Sequence, residues 1–284
     1  MVKTIGNPMS WTAQAIGGAA EHVTHSVEKV GSHEIREIRL RDLTVDDLRD
    51  SLQKGVEDFA AARADVMFLV LLYPVIGLVL AGIGFHAALL PLLFPLASGF
   101  AIIGPVAAVG LYEISKRREQ GEPASWAAAL GVIGSPNFAS VLVLGVYLVA
   151  LFVLWMVVAN GIYQLTLGPG APVSLMAFLT DLLTTAAGWT MIIVGCAVGF
   201  LFALAALATS VVSFPLLLDR EVGVPQAVTT SWRVFTRSPR VVLTWGAIVA
   251  ASLILGSIPA FIGLIIVLPV LGHATWHLYR HAVE

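Results

Sequence analysis

The chain has 284 residues, of which 58% are hydrophobic and 12% charged, with a formal net charge of −2. A soluble domain is nearer half apolar and a quarter charged, so this composition excludes an ordinary soluble fold and points to a membrane protein. The net charge says nothing about nucleic acid by itself, and no nucleic-acid partner is expected.

The first 65 residues are polar and mixed in charge. They lack an apolar core segment and a small-residue cleavage site, so no cleaved signal is expected. Residues 1–34 read as a variable, flexible tail with only a ragged apolar face, and residues 35–284 as one membrane domain. Within the latter, Thr44 can cap a helix with Asp46 and Asp47 in its first turn. Val45, Leu48, Leu52, Val56 and Phe59 then form one apolar face.

Six stretches supply the roughly 20 apolar residues that a helix needs to cross a bilayer. They run from Val66 to Phe85, Leu89 to Tyr112, Phe138 to Asn160, Gly188 to Leu218, Val241 to Ser257 and Ala260 to Tyr279. Pro105, Pro215 and Pro269 are expected to kink the even-numbered spans. Val173 to Thr185 reads as a short interfacial helix, and the last two spans as a tight hairpin joined at Ile258-Pro259.

Eight basic residues precede the first span. Lys116, Arg117 and Arg118 follow the second, Arg220, Arg233, Arg237 and Arg240 follow the fourth, and Arg280 follows the sixth, which accounts for all 16. The opposite side carries none. The positive-inside rule therefore places both termini in the cytoplasm, as expected of an inner-membrane protein. Trp126, Trp232, Trp245 and Trp276 are expected to mark the inner interface, and Trp155 and Trp189 the outer one.

Two copies of an R-E-x-G-x-P motif lie 102 residues apart: Arg118-Glu119-Gln120-Gly121-Glu122-Pro123 and Arg220-Glu221-Val222-Gly223-Val224-Pro225. Each leads to a tryptophan, a Ser-Pro pair and a new span. Glycine can end one helix in the left-handed conformation, and proline suits the first turn of the next. With the N-terminal helix as a third copy, the expected architecture is all-α. It has three units (about 42–121, 122–223 and 224–284), each an elbow helix on the inner interface followed by a transmembrane hairpin.

Candidate site residues are few. His273, His277 and His281 are spaced i, i+4, i+8 and line one stripe of the last helix. Such a stripe could bind a metal or haem. The plainer reading is hydrogen bonding to headgroups, loop carbonyls or Glu113, and no cofactor is expected. Glu113 itself fits a helix-end ion pair with Lys116 or Arg117, or else a gating carboxylate. His86, at the outer end of the first span, snorkels to water or faces Asp181. Gly77 and Gly84 on the first span, and the GxxxG of Gly195 and Gly199 on the fourth, offer close helix packing. That packing is either within the chain or against another copy or another membrane protein. The one cysteine, Cys196, sits in an apolar run as a small contact residue.

The spans hold almost no ionisable group, which argues against proton-coupled or charged-solute transport. No P-loop, nucleophile elbow or zincin motif is present, so an enzyme is not expected. Three functions stay open: a non-catalytic packing or assembly partner of another membrane complex, a channel or carrier for a neutral or lipid-like solute lined by Ser98, Thr209, Ser210 and Ser213, and haem or metal binding through the histidines.

Four stretches together resemble DUF2189, a bacterial family of predicted integral membrane proteins. They are Gly99 to Glu113, Phe214 to Arg220, Ser231 to Pro239, and the closing stretch Leu268 to Arg280. The resemblance runs from about Ile35 to the C-terminus and implies a membrane protein with no established activity. Some members are labelled putative cytochrome c oxidase proteins, but oxidase catalytic subunits bury several histidines deep in different helices, and this chain does not.

Overall fold

In the computed structural model, the structure describes residues 38–61, 82, 87–125, 129, 131–135, 137–259 and 261–284. Apart from Gly82, the expected first span lies outside these residues, as do Gly77, Gly84, His86 and Trp126. Among the described residues the chain is helical, apart from one isolated antiparallel bridge between Leu40 and Val283.

Helix α1 (Val45–Ala61) opens with a reciprocal cap. The Thr44 hydroxyl accepts from the Asp47 N–H at 3.3 Å, while Asp47 Oδ2 accepts from the Thr44 N–H at 2.8 Å. Two first-turn donors are thus satisfied. The face that α1 buries is Asp47, Leu48, Ser51, Gly55 and Asp58. Of the expected apolar face, Val45 and Val56 are exposed. The helix is therefore rotated from that expectation, because its buried polar residues find partners on the last helix.

Helices α2 (Leu93–Ala107) and α3 (Val109–Glu119) follow a 3-10 turn at Ala87–Leu92 and join at Ala108. Gly121, with φ +72°, ends α3 in the left-handed region where glycine costs nothing. Its repeat partner Gly223 is instead extended, at φ −76°. The two motifs share a sequence and differ in backbone.

Helix α4 (Phe138–Thr166) is followed by a short helix α5 (Leu175–Thr184) that Ser174 caps. Helix α6 (Ala186–Ser210) breaks at Val211-Val212 and resumes as α7 (Ser213–Asp219), two residues before Pro215 in the next turn. Helix α8 (Val224–Arg237) starts with proline in its first turn and abuts α9 (Pro239–Ser257) at Ser238. The last helix, α10, spans Leu264–Ala282 and carries Pro269 inside it. The turn between α9 and α10 covers 258–263, longer than the two residues expected. There Gly263 packs against Gly256 so closely that a Cβ on it would lie 2.7 Å from the Gly256 Cα.

Three helical segments among the described residues are long and apolar enough to cross a membrane: Phe138–Thr166, Ala186–Asp219 and Pro239–Ser257. Leu89–Gly99 with Ala101–Ala107, bent by 44°, makes a fourth if the pair is one crossing. Helix α10 is not among them: its second half carries three histidines, Trp276, Tyr279 and Arg280.

Two of the tryptophans expected at the inner interface, Trp245 and Trp276, are buried, and so is Trp155, expected at the outer one. The Trp155 indole N–H reaches the Ser98 hydroxyl at 3.0 Å, and its ring fills the space beside Gly199. A satisfied N–H removes the reason for an indole to seek the interface. Trp189 and Trp232 remain half exposed.

Candidate functional site

The C-terminal half of α10 is the point where the rest of the chain converges. Its histidine stripe lies along α1, which runs antiparallel beside it. Gly55 permits this approach: a Cβ there would sit 2.7 Å from the Val270 carbonyl oxygen and 2.9 Å from the Ala274 nitrogen. On another side Gly272 admits Leu111 of α3, with a Cβ-to-side-chain distance of 2.6 Å. Small residues at both contacts let three backbones draw together.

Asp58 is the centre of the cluster. Its Oδ2 accepts from Ser115 Oγ at 2.6 Å and meets His277 Nε2 at 2.9 Å, while Oδ1 accepts from Arg118 Nη1 at 2.6 Å. Burial works to raise its carboxyl pKa. The hydrogen bonds from His277 and Ser115, with the charges of His277 and His273, outweigh that and hold it below the ordinary value. His273, fully buried, places Nδ1 2.8 Å from Ser115 Oγ. The single hydroxyl proton goes to Asp58, so Nδ1 must donate to the oxygen. His273 Nε2 is then a buried atom with no hydrogen-bond partner.

One turn further out, His281 Nε2 meets Asp50 Oδ2 at 2.7 Å, and its Nδ1 lies 3.4 Å from Asp47 Oδ1. The other faces of α10 hold Glu119 of the first repeat motif and Asp219, which immediately precedes the second. Trp276 Nε1 donates to Glu119 Oε2 at 2.9 Å, and Arg280 Nε to Glu119 Oε1 at 3.0 Å. Tyr279 OH donates to Asp219 Oδ2 at 2.6 Å. The segment before α1 is tied to the C-terminal residues as well. The Arg41 N–H donates to the Ala282 carbonyl at 3.0 Å, and the Glu284 N–H to the Arg39 carbonyl at 3.1 Å. Arg237 pairs with Asp42, and the Leu43 N–H donates to Ser238 Oγ at 2.9 Å.

This arrangement ties α1, α3 and α10 together as a latch. A nucleophilic serine needs a base that takes its proton and a third group that orients the base. Here Ser115 gives its proton to the carboxylate, and the carboxylate lies 4.0 Å from His273 Nδ1. His273 and His277 both approach Asp58, the first through Ser115, whereas His281 faces Asp50 and Asp47. Among the described residues no group of three or more His, Cys, Asp or Glu side chains could hold a metal ion. Glu113 stands apart from the stripe and accepts from Arg117 Nε at 2.7 Å. The stripe's own partners, Asp58 and Asp50, escape sequence reasoning because the apolar periodicity of α1 assigns them to the solvent side. Gly55 carried no signal beyond its place mid-helix.

The expected small-residue face on α6 divides. A Cβ at Gly199 would lie 3.0 Å from the Trp155 ring, whereas one at Gly195 meets nothing within 4 Å. Deeper between α2, α3, α6, α9 and α10 lies an apolar cavity of about 530 Å³. Its walls include Gly104, Leu111, Ala203, Leu207, Gly246 and Leu271, with Ser210 and Thr275 as rare hydroxyls. Both hydroxyls donate to carbonyls of their own helices, Ala206 and Leu271. The cavity therefore presents few free polar groups. Ser98, Thr209 and Ser213 do not line it among the described residues.

Long apolar helices with largely uncovered flanks make the chain an α-helical integral membrane protein. Residues 93–219 match the family model described as predicted integral membrane protein (DUF2189). The match takes in Gly99 to Glu113 and nearly all of Phe214 to Arg220. Ser231 to Pro239 and the closing stretch from Leu268 lie beyond it, so the match is shorter than the resemblance read from the sequence. No curated protein and no solved structure matches the chain.

Proposed function

We propose that this chain is a non-catalytic six-span membrane protein whose membrane-depth cavity receives a neutral, lipid-like molecule. The observation that carries the reading is the cavity of about 530 Å³ with almost wholly apolar walls, within the size range of pockets that bury a small ligand. Polar or charged solutes would leave their hydrogen bonds unmet there.

Backbone pairing of residues 39–41 with 282–284 supports the topology. Segments bonded to each other lie on one side of a bilayer, so the chain between them crosses an even number of times. The clustering of basic residues supports a cytoplasmic position for that side. Single cysteines at Asp42, Ala171 and Glu284, in a Cys196→Ala background, test this. The first and last should label from the same side and the middle one from the other; labelling of all three from one side would refute it.

Gly104 lines the cavity, and a Cβ there meets nothing within 4 Å. Gly104→Phe should therefore fill the space, lowering capture of a photoreactive diacylglycerol by the purified protein about tenfold at unchanged melting temperature. Undiminished labelling would sink the reading.

A second reading is favoured by the open face at Gly195. Gly195 lines an apolar groove of about 420 Å³ together with Phe94, Trp155, Phe178 and Leu182, and such a groove suits a helix of a second copy or of another membrane complex that the chain helps to assemble. Crosslinking through Cys196, which is exposed on the same helix, should then trap a defined partner. Absence of any crosslink in native membranes would count against it.

A further inference from the structure

A second cavity, of about 280 Å³, lies at the basic rim, where α4 begins and α7 ends. It is unlike the first in chemistry. Three cations, Lys116, Arg117 and Arg220, face it together with three carboxylates, Glu113, Asp219 and Glu221.

The cations keep donors to spare. Lys116 Nζ commits one N–H to the Leu218 carbonyl at 2.6 Å, and Arg117 Nε commits one to Glu113. Arg220 Nη2 donates to the Glu284 carbonyl. Ser135 Oγ, also in the wall, is buried and has no hydrogen-bond partner. A buried hydroxyl without a partner in a polar void calls for a polar occupant. Asn137 beside it is already committed, with Nδ2 donating to the Leu217 carbonyl at 2.8 Å.

Charge decides the class. The walls carry equal numbers of both signs, so a simple anion gains no net attraction and meets three carboxylates. A group that bears both signs can place its anion on Lys116, Arg220 and Ser135, and its ammonium against Glu113 and Glu221. Position then narrows the source: the cavity sits at the ends of two membrane-crossing helices, Phe138–Thr166 and Ala186–Asp219, where headgroups lie.

We infer that this cavity binds a zwitterionic phosphoethanolamine group, as the headgroup of a phosphatidylethanolamine or as the free soluble compound. The inference is independent of the apolar cavity. Native mass spectrometry of the full purified chain, given equal phosphatidylethanolamine and phosphatidylglycerol, tests it alongside calorimetry with O-phosphoethanolamine. Phosphatidylethanolamine adducts should exceed phosphatidylglycerol adducts about fivefold, the worth of one or two hydrogen bonds. Ser135→Ala and Lys116→Gln should each reduce them about as much, without shifting the melting temperature. Ser135→Ala removes a group with no partner in the fold, so it serves even if Lys116→Gln disturbs α3. Displacement of the lipid by O-phosphoethanolamine identifies the headgroup as the ligand. Binding of O-phosphoethanolamine alone, sensitive to Ser135→Ala, identifies the soluble source. Equal retention of the two lipids, indifference to Ser135→Ala, or binding of neither probe overturns the proposal.

Discussion

Gly55 and Gly195 both sit mid-helix, yet the regions around them differ completely. At Gly55 two helices are in backbone contact, and Asp58 nearby is held by Ser115, Arg118 and His277. At Gly195 there is open space. The difference extends to whole helices: only 11% of the most apolar window of Ala186–Asp219 and 28% of that of Phe138–Thr166 is buried within the protein. Around α10, by contrast, Trp276, Leu278, Tyr279 and Ala282 are buried almost completely. In lipid, apolar surface gains little by meeting other apolar surface, so membrane-depth helices can remain loosely covered. At the rim, polar groups must be paired, and pairing fixes one geometry.

That contrast can be broken most sharply at Asp58. Asp58→Ala would strand Arg118 and His277 and leave Ser115 and His273 without their anchor. A loss of about 3 kcal/mol is expected, read as a lower melting temperature in detergent and as new protease cuts within α1. A melting curve unchanged within error would show that the latch holds nothing.

Acid should loosen the same contact. The Asp58 carboxyl is held below its ordinary value, as is that of Asp47, where burial opposes and the Thr44 and Arg41 contacts prevail. A depressed carboxyl adds stability that is complete above the unfolded value of about 3.9 and vanishes as pH falls through the folded one. Melting temperature should thus fall below about pH 4, with a shallower fall in Asp58→Asn. Equal slopes for the two proteins would assign the acid sensitivity elsewhere.

Gly55→Ala should cost about 1–3 kcal/mol, because the added Cβ meets backbone that cannot rotate away. Gly195→Ala, with nothing to meet, should stay within about 0.5 kcal/mol in the isolated protein. If Gly195→Ala instead weakens assembly in native membranes while leaving the purified chain unchanged, the open face is a partner surface. Equal effects at Gly55 and Gly195 would erase the distinction between the two regions.

Much of the fold was legible in the chain itself. Long apolar runs gave α4, α6 and α9, since only a helix satisfies its own backbone in hydrocarbon. Thr44 and Asp47, Gly121 and Pro225 marked helix ends through short-range geometry that needs no distant partner. The histidine stripe was legible as a stripe, because spacing on one helix is local. Its acidic partners were not, because Asp50 and Asp58 lie more than 200 residues from the histidines they meet. The exposed Val45 and Val56 show the same limit: periodicity identifies an amphipathic helix but not which face the protein will claim. Likewise, tryptophan composition could not separate Trp232, which is exposed, from Trp155 and Trp276, whose indole nitrogens found partners inside.

By itself, then, the sequence determined that the chain is an integral membrane protein and where its long apolar helices α4, α6 and α9 run. Those features follow from hydration and from local backbone chemistry, which act residue by residue. Only the tertiary structure decided that the last helix is the hub, that α1 turns its carboxylates inward, and that one cavity is apolar and the other charged. Each of these depends on groups far apart in the chain being brought within hydrogen-bonding distance, where burial makes an unmet polar atom costly and a met one specific.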